Sequence, residues 1–533
     1  MRRWNGWGDE ADDTRVGPSA RRFLDQHLGP AVAPRDATLA EVVARVPPSR
    51  VTDDEHLDTD PELRVRRARG QSFPDLVDLR SGRLAAVPDA VARPTSSEEV
   101  RGILRRARAT GIRLVPYGGG TSVVGGVTVR PAPDPVVTVD LGELNAVQSL
   151  DERSGLVTAG AGITGPDLAT HLGDRALAVG HEPQSWELAT VGGWVAARGS
   201  GLRSFGIGRI EQLFAGGTLE APAGTLEMPP FPASAAGPDL RQLVLGSEGR
   251  LGILTEITLR ATPIPEVDRL ESYALPGWES AMDCVRTIAR VHPALSVLRL
   301  STPSETATLL AFAERERQVR ALQSWLRIRR QPSDWALLLV GVAGTRRSAG
   351  AARVEARSII GAHGGVGVPA LATTWSRTRF RSPYLRNALW SIGYASDTLE
   401  TATDWAHVPA LLTRLEAAVG GALAASGERV HVLTHLSHLY PSGSSLYLTF
   451  LFRLAPDPDE TLARWRAIKL AASAVIEAEG ATITHHHGVG TDHAPYLVAE
   501  KGPLGMATLE SVVRTFDPDG VMNPGVLLSD RHG

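Results

Sequence analysis

Only one cysteine, Cys284, occurs among 533 residues, so no internal disulfide framework can hold this chain together. It sits in an amphipathic stretch and reads as a small core residue. Lysine is almost as scarce. Lys469 and Lys501 are the only two, which leaves 54 of the 56 basic residues as arginine, the mark of a GC-rich, bacterial coding sequence. Neither sign of charge is in large excess: the net charge is -3 and no basic block stands out, which excludes a nucleic-acid partner. No run of about 18 apolar residues exists, so no membrane span is expected. The start, "MRRWNGWGDEADD", lacks the apolar core of a secretory signal. The end, "SDRHG", is not a peroxisomal address. No internal repeat is visible.

What is present is an ordinary globular composition, 43% hydrophobic and 22% charged, over a length that predicts more than one domain. Residues 1–85 are polar and rich in Arg and Asp, and read as an N-terminal helical extension. Within the stretch "LVDLRSGRLAAVPDAVARP" the pattern predicts a strand, a turn and a second strand. A helix then starts at Ser96, with Glu99 completing a capping box, and ends at Gly111. Strand-like segments alternating with short helices make 86–265 a mixed α+β domain. Longer amphipathic helices between apolar strands make 266–470 a second one, and 471–533 is a closing segment.

The run "VPYGGGTSVVGG" raises a question, because five glycines within Val115–Gly126 are entropically costly. A Walker loop is excluded, since no lysine follows. A Rossmann fingerprint fails at Val123, and the strand-like "VVGGVTV" follows where a helix should open. Two readings stay open: a tight loop without a ligand, and a loop whose bare amides approach a diphosphate.

"PYGGGTSVVGG", "GHEPQSWELATVGGWVAARGSG" and "GSEGRLGILTEITLR", in this order, resemble the FAD domain of the vanillyl-alcohol oxidase/p-cresol methylhydroxylase superfamily. "RRWNGWGDE", "SVLRLS", "PYLRNAL", "SLYLTFLF" and "THHHGVG" extend the resemblance to its alkyldihydroxyacetonephosphate synthase family over almost the whole chain. The resemblance implies an α+β fold: a two-subdomain FAD-binding domain at 86–265, an α+β cap at 266–470, and a 471–533 segment that returns to the flavin. It implies an FAD site in three parts. The first is Pro116, Tyr117, Gly118, Gly119, Gly120, Thr121 and Ser122. The second is Gln184, Ser185, Trp186, Glu187, Leu188, Ala189 and Thr190, continuing through Gly192, Gly193, Ala197, Arg198, Gly199 and Ser200. The third is Glu248, Gly249, Arg250, Leu251, Gly252, Ile253 and Leu254. The loop holds no histidine or cysteine tether, so dissociable FAD is expected.

Three adjacent histidines in "THHHGVG" read by themselves as a metal site or a surface run. On a strand, His485 and His487 would face one way and His486 the other. Asp492 and His493 are the nearest further ligands, but no H-E-x-x-H and no cysteine pair supports a metal, and none is expected. The resemblance places His485, His486 and His487 at the flavin with Tyr447 as acid/base. It places Arg299 and Arg386 at an anionic substrate, which suits the arginine fork. His438 lies nearby in sequence without a motif to assign it. The implied reaction replaces the acyl group of acyl-dihydroxyacetone phosphate by a fatty alcohol, held at the flavin ring nitrogen, on the way to ether lipids. "FDPDGVMNPG" and Gln184 depart from that family. They keep open an FAD-linked oxidoreductase of a 2-hydroxy acid, of the D-lactate or glycolate type. A flavin-binding protein without chemistry fits poorly with Tyr447, Arg386 and the triplet together. The expected protein is a cytoplasmic bacterial homodimer with an anionic, lipid-like small-molecule substrate and peripheral membrane contact.

Overall fold

The computed structural model describes residues 1–52, 55–291 and 293–529; residues 53–54, 292 and 530–533, which include most of the "SDRHG" end, lie outside the described residues. The N-terminal region carries helices Pro18–Leu28, Leu39–Val43, Pro61–Arg66 and Phe73–Ser81. The last of these occupies "LVDLRS", where a strand is expected from composition. Local capping decides the matter. The Ser72 side chain accepts the Asp75 N–H, Asp75 returns the bond, and Gly82 closes the helix in the left-handed region. Phe73, Leu76 and Val77 then enter the core beneath the second domain.

The first ten residues bridge both halves of the molecule. The Asn387 side chain donates to the Trp7 carbonyl at 2.8 Å and accepts the Trp7 N–H at 3.2 Å. Arg80 Nε donates to the Asn5 carbonyl at 3.0 Å, and the Arg2 guanidinium donates to the Gly119 carbonyl.

Helix Ser97–Thr110 buries Val100, Ile103, Leu104 and Ala107 and ends at Gly111, where φ is 73°. Ser96 caps it, but Glu99 reaches back to the N–H of Thr95 rather than of Ser96, so the expected box is shifted by one residue. The helix covers a parallel three-stranded sheet in the order Ala90–Ala92, Val136–Asp140, Arg113–Tyr117. The glycine run follows the last strand directly, and Val123–Val129 is not the strand expected after it. A five-stranded antiparallel sheet comprises Val147–Asp151, Leu156–Gly160, Ile253–Arg260, Phe214–Ala221 and Gly224–Met228, in that spatial order.

The second domain is built on a seven-stranded antiparallel sheet. Its order is Val366–Gly367, Val267–Leu275, Ala336–Gly344, Leu295–Ser301, His431–Leu436, Gly443–Arg453, Tyr394–Asp404. Period-two alternation sends Leu446, Leu448 and Phe450 into a core under the covering helices. That leaves Tyr447 on the opposite face. Helix Val408–Gly421 begins a segment, Val408–Ser426, long and apolar enough to cross a membrane. Its Leu411, Leu412, Leu415 and Val419 are buried in this same core, the position of a core helix. Cys284 is buried there too, its thiol pushed up to about 12 by burial, as suits a packing residue.

Candidate active site

The glycine loop runs against the second expected segment. A Cβ at Gly119 would collide with the Leu188 carbonyl, and one at Gly118 with the Thr190 hydroxyl. Two chains at that separation tolerate only glycine. The third segment arrives from the other side, where a Cβ on Gly249 would meet the Pro116 ring at 2.9 Å and φ is +76°. Among the described residues, the N–H groups of Gly118, Gly119, Gly120, Thr121 and Ser122 donate to no protein acceptor. Consecutive unpaired amides in a partly buried loop form an anion-binding concavity.

Several side chains from the three segments turn away from this concavity. Leu251 and Leu254 are in one hydrophobic core and Ile253 is in another. Arg198 Nε pairs with Glu211 at 2.8 Å. Trp186 stacks on Phe380 at 5.5 Å, and Glu187 accepts from the Tyr384 hydroxyl at 2.6 Å. Arg250 pairs with the buried Asp517 at 3.0 Å. These side chains are engaged with other protein groups, whereas the loop amides are not.

Glu248 joins the third segment to the histidine triplet. Its Oε2 accepts the N–H of Gly490 at 2.8 Å and of Val489 at 3.0 Å, and Asn523 of "MNPG" donates to its carbonyl at 2.7 Å. The triplet is a loop, not the expected strand, because Gly488 and Gly490 have φ of 88° and 54°. All three imidazoles can therefore face one centre. Burial pushes the Glu248 carboxyl up to about 7, although the two amides pull it the other way. In the unfolded chain it ionises near 4.5, so between these pH values the folded state holds the extra proton. Stability is then expected to fall as pH rises through that window, by on the order of 3 kcal/mol. Glu248→Gln, melted across the same pH range by calorimetry, is expected to flatten that fall; an unchanged slope would assign it to other groups.

Tyr447 lies in the middle of a row across three strands. It is paired in register with Glu400 on one side and His435 on the other. Its ring stacks on His435 at 4.7 Å and meets His487 edge-on at 5.4 Å. Glu400 is fully buried; His485 Nδ1 lies 3.2 Å from one of its oxygens and His486 Nδ1 touches the other. His438 packs over both imidazoles, at 5.0 and 4.9 Å, and hydrogen-bonds the hydroxyls of Ser200 and Ser204. Burial alone would raise the Glu400 carboxyl, yet His486 and His485 hold it well below the usual carboxylate range.

The two arginines are placed differently from each other. Arg299, expected at the substrate, is paired with the buried Glu305 at 3.0 Å and donates to Ser301 at 2.8 Å. Glu305 also contacts His435 Nδ1 at 2.9 Å. Burial would raise the Glu305 carboxyl; Arg299 and then His435 hold it down to about 2. Arg299 thus acts on Tyr447 only through Glu305 and the His435 ring. Arg386 acts on Tyr447 through its charge. Its Nη1 and Nε donate to the carbonyls of Gln71 and Ser396 at 2.8 and 3.3 Å, while Nη2 is buried without a hydrogen bond, 3.6 Å from Asp397. Nη2 is thus the one guanidinium nitrogen of Arg386 that lies beside a carboxylate and makes no hydrogen bond.

A family model described as the FAD binding domain matches residues 88–227, and one for FAD linked oxidases, C-terminal domain, matches 264–527. Together they mark the chain as an FAD-dependent enzyme. Alkyldihydroxyacetonephosphate synthase of Trypanosoma brucei brucei is 28% identical to this flavoprotein over 575 residues, covering 99% of this chain and 92% of the relative. The synthase of Dictyostelium discoideum is 26% identical over 571 residues, covering 99% and 93%. A solved alkyldihydroxyacetonephosphate synthase shares the fold with a TM-score of 0.84, at 24% identity over 98% of each chain.

The residues present fit FAD. The unpaired amides of Gly118–Ser122 suit its diphosphate, and the close approach of the three segments leaves backbone rather than bulky side chains around it. Sequence reasoning missed four residues of this flavoprotein. Glu400, Arg209 and His435 carry no local motif. His181 opens the quoted "GHEPQS", so the signal was available there. Both its ring nitrogens are buried without a partner among the described residues, beside Trp194 at 4.8 Å, and burial lowers it to about 3.

Asp492 and His493, the sequence candidates for a metal, do not belong to the cluster of converging ligand atoms. Glu400, His438, His485 and His486 do place one ligand atom each within 4.8 Å of one another. The Arg209 guanidinium beside His485 disfavours a further cation at this cluster. Arg209 Nη1 approaches His485 Nε2 at 3.3 Å, and a guanidinium can only donate. His485 therefore accepts at Nε2 and carries its hydrogen on Nδ1, the atom that faces Glu400.

Proposed function

We propose that this FAD-dependent enzyme exchanges the acyl group of an acyl-dihydroxyacetone phosphate for a long-chain alcohol, making an ether-lipid precursor. The observation that carries this reading is a cavity of about 500 Å³ that begins at His485 and His486. Its lining joins apolar side chains such as Leu243, Leu251, Leu497, Leu509 and Val513 to charged ones, among them Arg209, Glu211, Glu500 and Lys501. A mixed lining of this volume beside the histidines suits an amphiphile better than a small 2-hydroxy acid.

When bound, FAD supplies the reactive ring system. The chain's own contribution is to hold it by main-chain amides, keep water out, and move protons at Tyr447 and the triplet. Buried Tyr447, its hydroxyl pushed up by burial and by Glu400, stays a phenol that donates at neutral pH. Nη2 of Arg386, which makes no hydrogen bond, is a candidate for the substrate phosphate.

The same proposal includes non-covalent FAD, a cytoplasmic homodimer and peripheral membrane contact. Helix Leu497–Phe516 supports the last point, since it lines the cavity through Leu497 and Leu509 and exposes Val498 and Leu504. Size-exclusion chromatography and co-sedimentation with anionic vesicles test these parts. The central test incubates holoenzyme with acyl-dihydroxyacetone phosphate and labelled hexadecanol. Labelled alkyl-dihydroxyacetone phosphate is expected, with oxidised flavin at the end. Anaerobic bleaching by D-lactate or glycolate, with no ether product, would overturn the reading in favour of the oxidoreductase.

A further inference from the structure

We propose that the N-terminal hairpin, residues 2–9, completes the cofactor site, with Arg2 as a positioning residue that aims the amide of Gly120 at the FAD diphosphate. This rests on the reading of the glycine loop as the diphosphate site. The Arg2 guanidinium donates to the Gly119 carbonyl. That carbonyl and the Gly120 N–H are the two ends of one planar trans peptide and point in opposite directions. A donor fixed on the carbonyl therefore fixes the direction of the N–H, which donates to no protein acceptor among the described residues. A cation on the carbonyl also polarises the peptide, which makes that N–H a better donor to an anion.

The other end of the loop is held in the same manner. The Gln71 N–H donates to the Ser122 carbonyl at 2.7 Å, and the next amide, that of Val123, has no protein acceptor among the described residues either. The carbonyls at 119 and 122 are thus gripped from outside, and the amides at 120 and 123 are left for a ligand. The two grips differ in kind. Gln71 supplies a neutral main-chain donor. Arg2 brings a charge, and no carboxylate pairs with it among the described residues, whereas Arg66 and Arg67 are paired with Glu62 and Asp140. A diphosphate carries the complementary charge.

The backbone around Arg2 is itself held. Arg2 pairs with Asp9 across the hairpin, the Arg3 N–H donates to the Gly8 carbonyl at 2.9 Å, and Arg66 Nη1 donates to the Arg2 carbonyl at 3.1 Å. Trp7 is buried, its backbone clamped by Asn387 of helix Ser382–Trp390. A Cβ at Gly6 would collide with the Asn387 side-chain oxygen, which accounts for that glycine in "RRWNGWGDE". The same helix carries Arg386, which donates to the Gln71 carbonyl. One helix of the second domain therefore steadies both grips on the loop, the hairpin through Asn387 and residue 71 through Arg386.

The test takes apoprotein prepared by acid release of FAD and measures rebinding of FAD, and competition by ADP, through flavin fluorescence. Arg2→Ala is expected to raise the dissociation constants of both by about tenfold or more, the usual consequence of losing a charge-assisted hydrogen bond, with native circular dichroism. ADP shares the diphosphate and lacks the flavin, so an equal factor for the two places the loss at the diphosphate. Arg2→Lys is expected to recover part of it. Asn387→Ala, which loosens the hairpin without touching the loop, is expected to weaken FAD in the same direction, and with Arg2→Lys it carries the test should Arg2→Ala fail to fold. Affinities within a factor of two of wild type would overturn the proposal, as would a loss that Arg2→Lys does not reduce, or FAD that acid does not release, since a covalent tether would then set its retention. Gly119→Val tells the two readings apart. Flavin lost there but bound normally by Arg2→Ala would overturn the role of the hairpin alone, whereas flavin kept by both would overturn the loop as the diphosphate site.

Discussion

Tyr447→Phe is expected to lower kcat by about 10²–10⁴-fold, the range for losing a positioned acid or base, while the bound-flavin spectrum stays as in the wild type. The substitution keeps the ring, and the ring makes the observed contacts: the stack on His435 at 4.7 Å and the edge contact with His487 at 5.4 Å. Only the hydroxyl is lost. That hydroxyl is buried in a sheet position flanked by Glu400, where an anion is disfavoured and a donated proton is available. Steady-state turnover with the acyl substrate and a long-chain alcohol checks the expectation. A rate within a factor of two of wild type would make Tyr447 a packing residue of the sheet and would move the acid/base work entirely to the histidines.

Gly119→Val is expected to yield a protein without flavin. A simple reading of the glycine run has the new side chain pushing the diphosphate off its amides. The geometry gives a nearer cause: the Cβ meets the Leu188 carbonyl, so the loop and the second segment must separate before any ligand arrives. Both walls of the concavity then shift together. The absorbance ratio of flavin to protein measures the loss, and acid release of FAD from the wild type tests for non-covalent binding. Gly173→Ala is a suitable control, because no atom lies within 4 Å of the added Cβ. Normal flavin content in Gly119→Val, with native circular dichroism, would remove this loop from the cofactor site.

The parts of the site that were legible in the sequence are those carried by contiguous residues. The glycine run, "ATVGGW" and "GSEGRLG" announce close backbone approaches, and the structure brings these three together. Continuous apolar runs placed long strands of the second domain, such as "WALLLVGVAG". Two local readings failed for identifiable reasons. "LVDLRS" folds as a helix because Ser72, Asp75 and Gly82 cap it at both ends, which outweighs strand propensity over so short a stretch. The triplet is a loop because glycines at 488 and 490 take left-handed backbone and Glu248 ties down the following amides. Other residues were illegible in principle. Arg209 reaches His485 across 276 positions, and Glu400 reaches the triplet only because its strand pairs beside Tyr447. Such partnerships are set by sheet register and loop convergence, which a single sequence does not display.

The row Glu400–Tyr447–His435 is part of a continuous hydrogen-bonded sheet, whereas His485–His487 stand on a loop held by side chains from several elements: Glu248 on the amides of Val489 and Gly490, Arg209 on the His485 carbonyl, Tyr440 on its ring. Local opening free energies follow such differences in support. The triplet amides are then expected to exchange their hydrogens sooner than those of the sheet row, and activity is expected to fade in denaturant before the seven strands melt.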